Sequence, residues 1–172
     1  MPLRLHIGGI EPKEGWKILN IVPGPGVDYV GDCQSLEQFA DGSVERIYAS
    51  HVYEHLGFEH ELDRALREAH RVLEPNGLLQ ISVPDFAVFA ALMIDPASTW
   101  RDQFFYTGLI FGQQADAHDV HKVGLTDKLL GAYLRHVGFR GIHRVDPFGI
   151  FDDWSGREIQ GRLVSLNMEA RK

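Results

Sequence analysis

Two histidine clusters carry most of the chemistry this sequence offers. His51-Val52-Tyr53-Glu54-His55 reads H-x-x-E-H. On a helix its two histidines would share a face and hold zinc, with Glu54 as the base of a metal-dependent hydrolase. Further along, His118-Asp119-Val120-His121 adds two more imidazoles. Imidazole titrates near neutrality, so His51 and His121 are the candidate catalytic bases, with Glu54 and Asp85 as weaker alternatives. Nine histidines in 172 residues make such groupings common. The stretch 118–121 is therefore read as a solvated loop or a substrate-side contact, and no metal is expected. Cys33, beside Asp32, is read as a packing residue rather than a nucleophile, and Asp152-Asp153 as a polar turn before Trp154.

The elements that must position these residues follow from apolar patterning. Residues 3–7 form a short apolar run stopped by Gly8-Gly9, and 16–22 a second run closed by Pro23-Gly24-Pro25-Gly26. Residues 27–30 alternate, and 44–50 read as a strand after the turn Asp41-Gly42-Ser43. Leu62, Ala65, Leu66, Ala69, Val72 and Leu73 recur at helical spacing over 59–74, and Pro75-Asn76-Gly77 stops them. The run 78–83 is nearly all apolar, as in a parallel strand covered on both faces. Residues 85–117 read as a helical insert. Phe86 to Ile94 is read as core or dimer interface, and Ser98 as the cap of a helix reaching about Phe111. A third helix starts at Thr126 and ends at Gly138, and strands near 142–145 and 163–169 close the chain.

This order predicts one α/β domain over 1–172, an open and mostly parallel Rossmann-like sheet with helices on both faces. Ligands bind such sheets outside the carboxyl ends of the strands. Those ends here are Gly8-Gly9, Asn20, Asp32-Cys33, Ser50-His51 and Pro84-Asp85. Only eight residues, 8–15, separate the first two strands. A parallel crossover usually needs a dozen or more, so its helix must shrink to about a turn.

Composition narrows the function classes. Lys plus Arg is 17 and Asp plus Glu is 24, a formal charge of −7. That balance disfavours nucleic acid as a bulk partner. The longest apolar run has nine residues, against roughly 20 for a bilayer span. A single cysteine excludes an internal disulfide. A cytoplasmic protein that binds no membrane is expected.

The strand ends also carry a resemblance. Residues 47–56, Ile-Tyr-Ala-Ser-His-Val-Tyr-Glu-His-Leu, are similar to the fourth-strand region of class I S-adenosylmethionine-dependent methyltransferases, type 11-like. Arg71-Val72-Leu73-Glu74-Pro75-Asn76-Gly77 resembles their RvLkPgG segment, and 39–44 their fPdgSfD segment. Further likenesses at Gly15-Trp16, Phe111-Gly112-Gln113, 121–124 and Ser165-Leu166-Asn167 point to a bacterial subgroup of unknown substrate. The resemblance implies S-adenosylmethionine as cofactor, held by Gly8, Gly9, Asn20, Asp32, Cys33 and Ser50. Asp32 would meet the adenine, and Asn20 stands where relatives carry the ribose-binding acid. The glycine turn reads Gly8-Gly9-Ile10, so Ile10 is expected to crowd the cofactor.

The expected function is methyl transfer to an unidentified small-molecule or carbohydrate-like acceptor. The alternative is a catalytically inactive scaffold of the same fold, suggested by Ile10 and Asn20. A homodimer is a further expectation.

Overall fold

The computed structural model describes residues 2–115 and 118–172. Seven strands form one sheet in the order β3-β2-β1-β4-β5-β9-β6. These are β1 Leu3–Ile7, β2 Lys17–Asn20, β3 Tyr29–Val30, β4 Val44–Ser50, β5 Leu73–Pro84, β6 Arg140–Arg144 and β9 Ser165–Arg171. The pairs from β3 across to β5 are all parallel, while β9 runs antiparallel to both β5 and β6. A separate two-stranded ribbon joins β7 Glu158–Ile159 to β8 Arg162–Leu163. The expected open, mostly parallel sheet is the observed one.

Its chain path has a switch point. From β1 the chain steps outward to β2 and β3, then returns to place β4 on the other side of β1. Loops leaving β1 and β4 therefore diverge and open a crevice at their carboxyl ends.

Helix α1, Glu61–Val72, buries Leu62, Ala65, Leu66, Ala69 and Val72, the face set by its helical spacing. Helix α4, Asp127–Val137, is capped by the Thr126 side chain and ends at Gly138 with φ 114°. Both pack into one core with Leu5, Ile7, Ile47, Ala49, Leu79, Ile81, Leu166 and Met168. These strand residues alternate, so they occupy one face of the sheet.

The opposite face carries His6, Ile18, Tyr48, Gln80, Ser82 and Asn167, all buried. A loop closes over its centre instead of a helix. Phe151 lies 3.9 Å from the His6 ring, centroid to centroid, and Tyr48 donates its hydroxyl to Asp153 at 2.5 Å. The link from β1 to β2 contains no helix at all, one step beyond the expected single turn. Lys17 stays in register with Leu5 because Gly8 turns the chain back at once, donating its N–H to the Leu19 carbonyl.

Helices α2, Phe86–Met93, and α3, Trp100–Phe111, form the insert. Thr99, not Ser98, caps α3, because its hydroxyl accepts from Asp102 N–H while Asp102 accepts from Thr99 N–H. The insert has its own small core of Phe89, Leu92, Tyr106 and Val164. The Phe86–Ile94 stretch is thus core on its buried side, at Phe89 and Leu92. No helix among the described residues is long and apolar enough to cross a membrane.

Candidate functional site

A cleft of about 450 Å³ opens at the switch point. It is lined by Gly8, Asn20, Asp32, Cys33, His51 and His55, among others. A volume of this size suits a ligand of cofactor dimensions. Gly8 has φ +77°, and a Cβ there would collide with Val52 Cγ2. Only glycine lets the β1 turn pass so close to the first residues after β4.

Asn20 ties the cleft's rim together. Its amide nitrogen donates to the Gly9 carbonyl at 3.1 Å, and its carbonyl accepts from Val22 N–H at 3.0 Å. A carbonyl oxygen keeps a second lone pair for a ligand. Asp32 accepts from Gln34 through both oxygens, from N–H at 2.9 Å and Nε2 at 3.1 Å. Cys33 is buried, and burial, with Asp32 beside it, pushes its thiol up to about 12. It stays a neutral packing residue at physiological pH, as its setting in the sequence suggests.

Three residues that the resemblance sets against the cofactor, Gly9, Ile10 and Ser50, do not line this cleft. Ile10 does not crowd it. Its φ is not positive, it is 73% exposed, and it borders a smaller cavity behind the turn. The chain reaches that outward position because the turn is made at Gly8 rather than two residues later. Ser50 is absent from the cleft lining and borders the same smaller cavity, with Gly9. Strand alternation is the reason: Ala49 joins the helix-side core, so Ser50 points to the opposite face.

A second cleft, of about 430 Å³, lies against the insert. Phe89, Phe105, Leu109, His121 and Trp154 give it mostly apolar walls. His51 and His55 line both clefts, so the two meet there.

His51 takes a left-handed conformation, φ 55°, directly after β4. Its N–H donates to the Ser82 carbonyl at 2.8 Å. Strain of this kind in a non-glycine residue collects at functional sites. Both ring nitrogens have partners: Nδ1 is 3.1 Å from Glu54 Oε1, and Nε2 is 3.1 Å from Ser165 Oγ. Ser165, which the sequence marks only as part of a family likeness, comes from the start of β9, two strands from β4. No helix runs through His51, so the zinc-hydrolase reading of H-x-x-E-H loses its geometry. The chain there leaves a strand and makes a single tight turn, Tyr53–His55.

Glu54 is 1% exposed; its Oε1 faces His51 Nδ1 at 3.1 Å, and its Oε2 has no hydrogen-bond partner among the described residues. Its backbone carbonyl accepts from Lys122 N–H at 2.8 Å and Val123 N–H at 3.3 Å. Those bonds bring His121 beside His55, ring centroids 4.7 Å apart. Gly112 makes this possible at the exit of α3, where φ is +81° and a Cβ would strike the Asp119 carbonyl. His55 Nδ1 lies 3.2 Å from the Val120 carbonyl, and His121 Nδ1 3.2 Å from the Ile110 carbonyl. A carbonyl only accepts, so each Nδ1 carries a proton, and Nε2 is the lone-pair nitrogen of the neutral ring. Burial lowers the pKa of His121, which favours its neutral form. Asp85 is no part of this chemistry: it caps α2 and sits 2.8 Å from Arg144 Nη2.

Residues 16–81 match the family model described as "Methyltransferase domain". No curated protein matches the sequence. Among solved structures, a SAM-dependent methyltransferase from Archaeoglobus fulgidus superposes with a TM-score of 0.60 at 18% identity, covering 99% of this chain and 86% of that one. The chain has the fold of the class I methyltransferases. Burkholderia thailandensis 1,6-didemethyltoxoflavin-N1-methyltransferase, solved with 1,6-didemethyltoxoflavin and S-adenosylhomocysteine, gives 0.60 at 16% identity over 99% of this chain and 70% of that one. Human N-acetylserotonin methyltransferase, in complex with SAM, gives 0.54 at 15% identity, and the chain spans 47% of its length. The methyltransferase match begins at β2 and ends inside β5, so it covers the strand ends on three sides of the larger cleft.

Proposed function

We propose that this methyltransferase-fold chain transfers a methyl group from S-adenosylmethionine to a small-molecule acceptor. The observation that carries this reading is the meeting of two separate clefts at His51 and His55, at the sheet's switch point. Methyl transfer needs that arrangement, because donor and nucleophile must approach in line from opposite sides of one carbon.

The larger cleft fits the cofactor. Gly8 gives the close backbone approach, Asn20 keeps a carbonyl lone pair at the rim, and Asp32 with Cys33 borders the far end. Bound S-adenosylmethionine supplies an already activated methyl on its sulfonium. The smaller, mostly apolar cleft takes the acceptor, and its aromatic walls exclude water. Acceptor activation falls to His55 and His121, which border that cleft, with Glu54 beside them: one ligand atom from each of the three lies within 4.8 Å of the others. His51 positions Glu54 and closes the floor between the clefts, since both of its ring nitrogens already have partners. The protein's place in the cytoplasm and a homodimer remain part of the same reading.

Calorimetric titration with S-adenosylhomocysteine tests the proposal. We expect saturable binding near micromolar strength, weakened at least tenfold in Asp32→Ala. Absence of binding up to millimolar ligand would overturn it and favour a scaffold.

A further inference from the structure

Glu54, His55 and His121 each offer one ligand atom, and the three atoms lie within 4.8 Å of one another. We infer that they form a binding site for a divalent transition-metal cation at the junction of the two clefts.

Two geometric features support the site. The first is the Glu54 carboxylate, buried to 1% exposure with His51 Nδ1 facing Oε1 at 3.1 Å and no hydrogen-bond partner on Oε2 among the described residues. A buried carboxylate is costly unless paired or coordinated. The second is the orientation of the two imidazoles. Each places Nδ1 against a backbone carbonyl, Val120 for His55 and Ile110 for His121. Metal-binding histidines are held this way, with one nitrogen fixed on a carbonyl and the other aimed at the ion.

Two imidazole nitrogens and one carboxylate select zinc or iron(II) over magnesium or calcium, which prefer oxygen ligands. A zinc ion with bonds of roughly 2.0–2.1 Å holds its ligands about 3.4 Å apart. Small side-chain rotations would close the three atoms to that distance. Three protein ligands leave a coordination position open. His121 and His55 both border the acceptor cleft, so that position faces the acceptor. The role of the ion rests on the methyl-transfer reading. It would hold an acceptor oxygen or nitrogen and lower its pKa, making His121 a ligand rather than a proton acceptor. The site differs from the zinc-hydrolase reading of H-x-x-E-H, because His51 is turned onto Ser165 and Glu54 becomes a ligand.

Chelator-treated full-length protein titrated with cobalt(II), followed by visible absorption, tests the inference. One equivalent should bind with micromolar or tighter affinity, give d–d bands and be displaced by zinc. Glu54→Gln and His121→Ala should each weaken binding at least 100-fold, while His51→Ala should retain it. No saturable cobalt binding by the parent protein, or binding unchanged in both ligand variants, would overturn the site. Loss in His51→Ala with retention in His121→Ala would transfer the metal to the H-x-x-E-H pair and overturn it equally. Melting curves check that each variant folds. S-adenosylhomocysteine titrations on the same samples separate failure of the cation site from failure of the cofactor reading.

Discussion

At the scale of residues, the site depends on where single side chains are free to point. Ile10 looks like a steric block in the sequence but lies outside the cleft, 73% exposed. Ile10→Gly should therefore leave S-adenosylhomocysteine affinity unchanged within about twofold, read by calorimetry. Gly8 is the opposite case. Gly8→Val forces a branched residue to φ +77° and into Val52. It should lower stability by roughly 1–3 kcal/mol and weaken cofactor binding. His121→Ala removes an open lone pair at the junction and should reduce the methyl-transfer rate by about 10²–10⁴, with S-adenosylhomocysteine binding kept. His6 supplies a pH signature. Burial holds its pKa at about 4, against an ordinary 6.5. Between those values the unfolded chain binds a proton that the folded chain refuses, so stability falls as pH drops through that window. The loss amounts to about 3 kcal/mol at full effect. Melting temperature measured from pH 7 to pH 4.5 should decline, and the decline should be shallower in His6→Gln.

At the scale of elements, Arg71 explains why a loop can replace a helix between β3 and β4. From the last turn of α1 its guanidinium donates to the Leu36 carbonyl at 3.0 Å and the Phe39 carbonyl at 3.1 Å, and pairs with Asp41 and Glu68. Glu68 in turn accepts from Leu36 N–H at 2.8 Å. The stretch 36–41 thus has its backbone groups satisfied by α1 rather than by its own helix. Arg71→Ala should cost about 1–3 kcal/mol in denaturant unfolding. The bond from Arg71 also holds the Glu68 pKa below its ordinary value. That contribution is present above the ordinary carboxylate range and is lost as pH falls through the lowered pKa. The acid limb of the stability curve should flatten in Arg71→Ala.

At the scale of the whole molecule, the chain is two unequal packing units. The sheet with α1 and α4 holds the larger core, while α2 and α3 gather around Phe89, Leu92, Tyr106 and Val164. A core of four buried side chains opens more readily than the sheet beneath it. Amide exchange over 86–111 should therefore run ahead of exchange in β4 and β5. The insert also supplies Phe89, Phe105 and Leu109 to the cleft proposed for the acceptor. Opening of the insert should leave the cleft proposed for the cofactor intact, read as unchanged S-adenosylhomocysteine affinity.

Sequence by itself located most sheet elements, because their signals are local, although β5 starts at Leu73 and runs through the expected stop at 75–77. Period-two runs, a helical stripe from Leu62 to Val72 and the breakers Pro75-Asn76-Gly77 are read within a few residues of each other. Strand 44–50 is observed with those bounds, and the Gly138 stop is where the sequence puts it. The family segments at 39–83 likewise sit in contiguous chain. What tertiary structure alone decided is pairing across the fold. Ser165 on His51 and His121 beside His55 join residues separated by as many as 114 positions. No periodicity encodes such contacts. The direction of Ser50, set by one step of strand alternation, and the outward path of Ile10, set by the turn at Gly8, were likewise settled only when the chain folded.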